Sequence, residues 1–146
     1  MDWNAVAAAL ETAAKRAGIN AIDHVPDSLP SEMFYVGEMD IDFDVTFRSR
    51  LVEDAPTLVR VGTDQATITC RILVARADDK HSVRRMRKYM SGSGPSSVAA
   101  ALSVDKTLGG TVDSSAVKRM RGNRLFDVGS AKYYGIEIDV FVIGAA

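Results

Sequence analysis

The chain has 146 residues, of which 47% are hydrophobic and 25% are charged, and its net charge is −1. This length and composition predict one domain over residues 1–146 that buries a core without metals or disulfides. The near-neutral charge gives no sign of a nucleic-acid or membrane partner, and no apolar run is long enough to cross a bilayer.

Charge is distributed unevenly along the chain. Residues 1–73 carry 12 acidic and 6 basic side chains, whereas residues 74–146 carry 7 acidic and 12 basic ones. The two halves therefore bear net charges of −6 and +5. This asymmetry predicts complementary surfaces, either within one subunit or between copies of it.

The N-terminal part predicts one helix followed by short elements. Asp2 suits an N-cap, apolar residues recur after it at helical spacing, and Gly18 suits the C-terminal end. The pattern predicts a helix over residues 2–17. A short strand over residues 19–25 and a loop with two prolines at 26–30 follow.

The most regular stretch is the alternating segment 38–47. Its odd positions are apolar, and the even positions from 38 to 44 hold carboxylates. Because a strand sends successive side chains to opposite faces, we expect one face in the core and an acidic face in water or against a basic partner. A short strand over residues 32–36 precedes it, with Gly37 as a bend.

Residues 48–65 have poor periodicity and contain Pro56 and Gly62, so they predict a long flexible loop. Several apolar residues lie inside this segment, among them Leu51, Leu58 and Val59. A surface loop of this kind often becomes ordered against a partner.

A strand over residues 67–76 and a second helix follow. Cys70, the only cysteine, lies on the apolar face of the strand, which indicates an inert buried thiol and suits a reducing compartment. The helix is expected to begin at Asp78 or Asp79 and to end near Met90. The remaining predicted elements are a flexible hinge at 91–95, a third helix over 95–104 with Pro95 in its first turn, a turn at 108–112, a strand over 114–124 interrupted near Gly122, and a last strand over 133–143.

This order of elements predicts an α+β fold. We expect a mainly antiparallel or mixed sheet of about four long strands, with the helices packed on one face.

Three acids at Asp40, Asp42 and Asp44 have the spacing that begins a calcium-binding loop. That loop needs glycine at its sixth position and glutamate at its twelfth, where this chain has Val45 and Leu51. The spacing therefore disfavours a metal site. Two interpretations remain: a solvated strand face, or a functional acidic surface formed by Glu38, Asp40, Asp42 and Asp44.

Basic side chains form two clusters in the second half of the chain. The bland interpretation is a solvated helix face, and the alternatives are pairing with a neighbouring subunit's acids or binding of phosphates. The chain lacks the aromatic-rich strand of an RNA-recognition motif. The candidate interface residues are Arg84, Arg85, Arg87 and Lys88 in the second helix, Lys118, Arg119 and Arg121 in the 114–124 strand, and Arg48, Arg50, Leu51, Leu58, Val59 and Arg60 in the 48–65 segment.

No catalytic motif is present. Neither a nucleophile elbow nor a P-loop occurs, and Cys70, His24 and His81 are too few and too scattered for a zinc site. We therefore expect no catalysis and no cofactor.

The layout resembles the tail terminator (tail completion) proteins of long-tailed bacteriophages, over nearly the full chain. The most telling part is the helix of 96–102 ending in Leu102, then the Leu108-Gly109-Gly110-Thr111-Val112 turn, then two strands of which the last contains Tyr134-Gly135. The amphipathic first helix, the proline-containing segment 25–30, the strands at 38–47 and 67–76 and the helix ending at Met90 complete it.

The resemblance implies a structural virion protein that is not an enzyme. Members form a hexameric ring that caps the tail tube, ends its polymerisation and presents a surface to a head-completion or connector protein, and DNA passes through the lumen without specific binding. It also implies localisation in the virion neck after assembly in the host bacterial cytoplasm. Acids at 38–44 suit either such a lumen or the counterpart of the basic clusters. The alternatives are a nucleic-acid-binding α+β module and another virion neck protein, such as a head-completion protein.

Overall fold

The computed structural model describes residues 1–27, 32–76 and 82–145. The predicted caps Asp78 and Asp79 and part of the predicted 26–30 loop lie outside these residues. The elements are, in chain order, α1 Trp3–Lys15, β1 Asn20–Ile22, β2 Met33–Asp42, β3 Phe47–Val52, β4 Ala55–Arg60, β5 Thr63–Arg76, α2 Ser82–Tyr89, α3 Val98–Ser103, β6 Ser114–Val128 and β7 Ala131–Ala145.

The main sheet is mixed and has five strands in the order β1-β2-β5-β7-β6. The short β1 runs parallel to β2, and every other neighbouring pair is antiparallel. The α+β class is confirmed, and the sheet holds one strand more than the four expected. Strands β3 and β4 form a separate two-stranded sheet.

Helices cover one face of the main sheet. The residues they bury belong to the same apolar cluster as the inward side chains of β2, β5 and β7, including Phe34, Ile68 and Ile138. Helix α1 begins where it was expected, because the Asp2 carboxylate accepts hydrogen bonds from the backbone N–H groups of Asn4 and Ala5.

The predicted strand 38–47 is wrong in its second half. Strand β2 starts earlier, at Met33, passes through Gly37 with an irregularity between Val36 and Met39, and ends at Asp42. Met39 and Ile41 pack against the core, but Phe43, Val45 and Phe47 are 59%, 73% and 54% exposed. The apolar face thus leaves the core where the chain leaves the sheet.

The predicted 48–65 loop is a β-hairpin. Strands β3 and β4 pair in register from Phe47↔Arg60 to Val52↔Ala55, and the two residues between them, Glu53 and Asp54, both have positive φ angles. Positive φ at both central residues gives a type I′ turn, whose twist suits a hairpin. Pro56 lies within β4, and β5 already begins at Thr63.

The later elements differ from the predictions mainly in length. Helix α3 begins at Val98 and is capped by Ser97 instead of starting at Pro95. Strand β6 continues through Gly122, and the predicted interruption is a register shift between Arg121 and Arg124. A Cβ atom at Gly122 would lie 2.6 Å from the Met90 sulfur, so a larger residue there would displace the flexible Met90 side chain.

Candidate assembly surfaces

Ion pairs cross the centre of the sheet face that the helices leave open. Arg121 of β6 donates hydrogen bonds to the carboxylates of Glu137 and Asp139 on β7. Arg71 of β5 reaches Glu137 from the other side, with 3.4 Å between its Nε and Oε2. The hydrogen bonds from Arg121 are the main reason that the pKa of Glu137 lies below its usual range. Arg121, predicted as an interface residue, thus has its guanidinium engaged within the subunit.

The acids of β2 form one border of this open face. Glu38, Asp40 and Asp42 are exposed, and Glu38 approaches Arg71 at 3.8 Å. Within the described residues, Asp40 and Asp42 have no ion-pair partner. We call Glu38, Asp40 and Asp42 the acidic border.

Asp44 does not belong to this row. Its carboxylate accepts hydrogen bonds from the backbone N–H and the hydroxyl of Thr46, at 2.9 and 2.6 Å. These bonds lower the pKa of Asp44 and close the turn that leads into β3. The predicted row of four carboxylates is therefore a row of three.

Bases of β6 form the opposite border. Lys118 lies over the Phe141 ring, with its Nζ 5.2 Å from the ring centre, and Arg119 is exposed. In the described ranges neither side chain pairs with a carboxylate. We call Lys118 and Arg119 the basic border.

A groove lies behind the basic border, between α3 and β6. Its volume is about 340 Å³, and Lys118 and Arg119 stand at its rim. Its lining combines the apolar side chains of Met90, Ala99, Ala100, Val117 and Met120 with polar groups, including Ser103. Sequence patterning did not predict this groove, because it depends on how α3 packs beside an edge strand.

Helix α2 presents most of its predicted bases to solvent. Arg84, Arg87 and Lys88 are exposed, whereas Arg85 pairs with Glu32 at 2.9 Å. Glu32 also accepts a hydrogen bond from the Tyr89 hydroxyl. Burial, followed by this carboxylate neighbour, raises the pKa of Tyr89.

The β3–β4 hairpin has two chemically different faces. Directly paired residues of antiparallel strands share a face, so Phe47, Leu51 and Leu58 lie together on one side. Leu51 and Leu58 are 73% and 72% exposed. The other side carries Arg48, Arg50 and the partly buried Val59. Of the predicted apolar interface residues, Leu51 and Leu58 are thus brought together and Val59 is not, and the sequence did not reveal Phe47 as their neighbour.

Arg60 joins the hairpin to the main sheet. It donates to both carboxylate oxygens of the buried Asp64, at 2.7 and 3.2 Å, and to the backbone oxygen of Asp44. Its guanidinium also lies 5.6 Å from the centre of the Phe43 ring. A hydrogen bond from Val61 N–H to Thr46 O closes the base of the hairpin. Arg60, predicted at an interface, is a structural link within the subunit.

No group of three or more His, Cys, Asp or Glu side chains in the described ranges could hold a metal ion. Among the helices described, none is both long and apolar enough to cross a membrane. No family model and no curated protein matches the chain.

Proposed function

We propose that the protein is a ring-forming tail terminator of a long-tailed bacteriophage, a structural virion protein that caps the tail tube and offers a joining surface to the head. Its partners are further copies of itself, in a hexamer, the tail tube protein, and a head-completion or connector protein. It would be assembled in the host bacterial cytoplasm and reside in the virion neck.

The observation that carries this proposal is the separation of charge across one sheet face. The acidic border and the basic border lie at opposite sides of the open face. A subunit with complementary opposite sides joins head to tail, and such heterologous contacts close into rings when the rotation permits. The acidic first half of the sequence thus supplies one border of this face, and the basic second half supplies the other.

The hairpin supplies a second kind of contact surface. An apolar face made of Phe47, Leu51 and Leu58 is unfavourable in water and favours a protein partner. An isolated two-stranded hairpin is marginally stable, so a partner would also stabilise it. We assign this face to the tail tube or to a neighbouring subunit in the capped ring.

The exposed acids also suit a channel for DNA. A lumen lined by carboxylates repels phosphates, so DNA passes without binding. Glu38 lies nearest the central ion pairs. In this proposal, the carboxylates of the acidic border that do not pair with a neighbouring subunit face the passing DNA.

Tail-tube capping tests the proposal directly. Purified tail tubes mixed with the protein should stop growing, and native mass spectrometry should detect a ring at the tube end. The Leu51→Ser/Leu58→Ser variant should fold normally and cap poorly, while the matched Arg48→Ser/Arg50→Ser variant reports on the opposite hairpin face. A monomer that never caps tubes, measured in their presence, would refute the proposal.

A nucleic-acid-binding module is the second candidate, because α2 exposes Arg84, Arg87 and Lys88. Titration with labelled DNA or RNA at two salt concentrations distinguishes the candidates, since phosphate binding weakens steeply with salt. The Arg84→Glu/Arg87→Glu variant should lose such binding if this candidate is right. Under the ring proposal, the same variant leaves the monomer folded and impairs assembly. A neighbouring gene for a tube protein would favour the terminator over another neck protein.

A further inference from the structure

The main sheet has two edges with open backbone. Strand β1 covers β2 only from Met33 to Tyr35, so the outer edge of β2 beyond Tyr35 pairs with no strand in the described part of the chain. Strand β6 pairs with β7 alone and forms the other edge. Unpaired N–H and C=O groups at such edges are templates for another strand.

The directions of these strands permit pairing between copies. Strands β2, β5, β7 and β6 alternate in direction, so β2 and β6 of one subunit are antiparallel to each other. A second copy placed beside the first in the same orientation brings its β2 antiparallel to the first copy's β6. The sheet can therefore continue from subunit to subunit without a change of pattern.

The side chains at the two edges match on both faces. On the open face, β2 offers the acidic border and β6 offers the basic border, which are complementary in charge. On the helix side, β2 offers the partly buried Met39 and Ile41, and β6 offers Val117 and Met120 beside the groove behind α3. Added strands gain affinity from backbone hydrogen bonds and specificity from pockets that receive alternate side chains.

The basic border disfavours the addition of a neutral strand at the β6 edge. A lysine and a register shift at an edge are devices that block unwanted pairing, and β6 has Lys118 at the shift between Val117 and Arg119. An acidic strand neutralises the charge of Lys118 and Arg119, so this edge favours an acidic strand over other strands. The acidic border of this same chain has the required charge.

We propose that strand β2 of one copy pairs edge to edge with strand β6 of the next copy, giving a continuous antiparallel sheet through the assembly. The pairing specifies the contact between neighbouring subunits of the proposed ring. It rests on the proposed function only for closure into a ring. The occupant of the β6 edge is a second copy of this chain.

Charge reversal at each border tests the pairing. Lys118→Glu/Arg119→Glu gives a protein with two acidic borders, and Asp40→Lys/Asp42→Lys gives one with two basic borders. Each alone should associate about tenfold or more weakly than the unaltered protein, because like charges then meet. An equimolar mixture should regain association, since every contact again joins opposite charges. Sedimentation velocity measures both effects, and Lys106→Glu/Lys132→Glu is the matched control, because both lysines are exposed and lie outside the two borders.

Thiol cross-linking tests the geometry. An Asp40→Cys/Arg119→Cys double variant is treated with a bis-maleimide about 10 Å long. A cross-linker of this length still joins the two cysteines if the register between β2 and β6 differs by two residues, about 6.8 Å. The double variant should yield a ladder beyond dimers, and a mixture of the two single variants should yield heterodimers. Cys70 does not interfere, because it is fully buried and burial raises the pKa of its thiol.

The outcomes separate the pairing from the proposed function. No ladder at the highest soluble concentration or on tail tubes, homodimers of one single variant in place of heterodimers, or a mixture that fails to regain association would each overturn the pairing. Tube capping by a protein that gives no ladder refutes the pairing alone. A ladder without capping retains the pairing and refutes the terminator.

Discussion

The five-stranded sheet and the β3–β4 hairpin both contain large apolar side chains, but the sheet buries them and the hairpin exposes them. In the sheet, Ile68, Ile136 and Ile138 are fully buried beneath the helices. In the hairpin, Phe47, Leu51 and Leu58 are exposed to solvent, and none of the helices in the described ranges packs extensively against β3 or β4. The comparison indicates that the sheet provides the stability of the subunit, and that the hairpin's apolar face contributes only when something covers it.

A truncation in each region should separate these roles most strongly. Ile138→Ala removes fully buried atoms and leaves a cavity, so we expect the free energy of unfolding to fall by about 2–5 kcal/mol. Leu58→Ala, the matched change in the hairpin, should alter it by no more than about 0.5 kcal/mol. Chemical denaturation measures both. Similar losses in the two variants would show that the hairpin is part of the same packed core.

Removing the Arg60 side chain, which connects the β3–β4 hairpin to the main sheet, should loosen the hairpin without unfolding the sheet. Arg60→Gln removes the guanidinium that holds the buried Asp64 carboxylate and the backbone oxygen of Asp44. We expect hydrogen exchange of the β3 and β4 amides to rise several-fold while the amides of β7 stay protected. Arg50→Gln, on the same hairpin but away from this link, is the control. Faster exchange throughout β7 would contradict a local role for Arg60.

The central ion pairs should make the stability of the sheet sensitive to acid. The pKa of Glu137 is lower in the folded chain than its ordinary value of 4.5, chiefly because Arg121 donates hydrogen bonds to it. A lowered pKa gives stability that is fully present above that ordinary value and is lost as pH falls through the folded value. The unfolding midpoint should therefore drop between about pH 6 and pH 3, and drop less in Glu137→Gln. An equal drop in that variant would assign the acid sensitivity to other groups.

Local patterns predicted the elements that depend on neighbours in sequence. The Asp2 cap and the spacing of apolar residues were enough for α1, and alternation was enough for the paired part of β2. The hairpin was missed because the alternation of 38–47 continues after the chain leaves the sheet at Asp42. The Glu53-Asp54 turn also lacks the Asn-Gly signal that usually marks a hairpin.

The central ion pairs could not be predicted, because they depend on an irregularity in β6. The turn sets Val128 opposite Ala131, and that register alone would place Arg121 opposite Ile138, facing the core. The shift between Arg121 and Arg124 moves Arg121 opposite Glu137 and turns it to the open face. A one-residue slip exchanges the two faces of a strand, so the sequence pattern gives the strand but not the surface its charges form.

The smallest effect is expected at the hairpin turn. Glu53 and Asp54 have φ angles of 51° and 62°, a region that favours asparagine and glycine over other residues. Glu53→Asn/Asp54→Gly should therefore stabilise the hairpin by about 1 kcal/mol and slow exchange of its amides, with no change in the sheet. The turn between β6 and β7 provides the reverse control, since Gly129 has a φ of 61° and Gly129→Ala should destabilise the sheet by about 1 kcal/mol. If the Asn-Gly turn leaves hairpin exchange unchanged, the turn does not limit hairpin stability, and the exposed apolar face governs it instead.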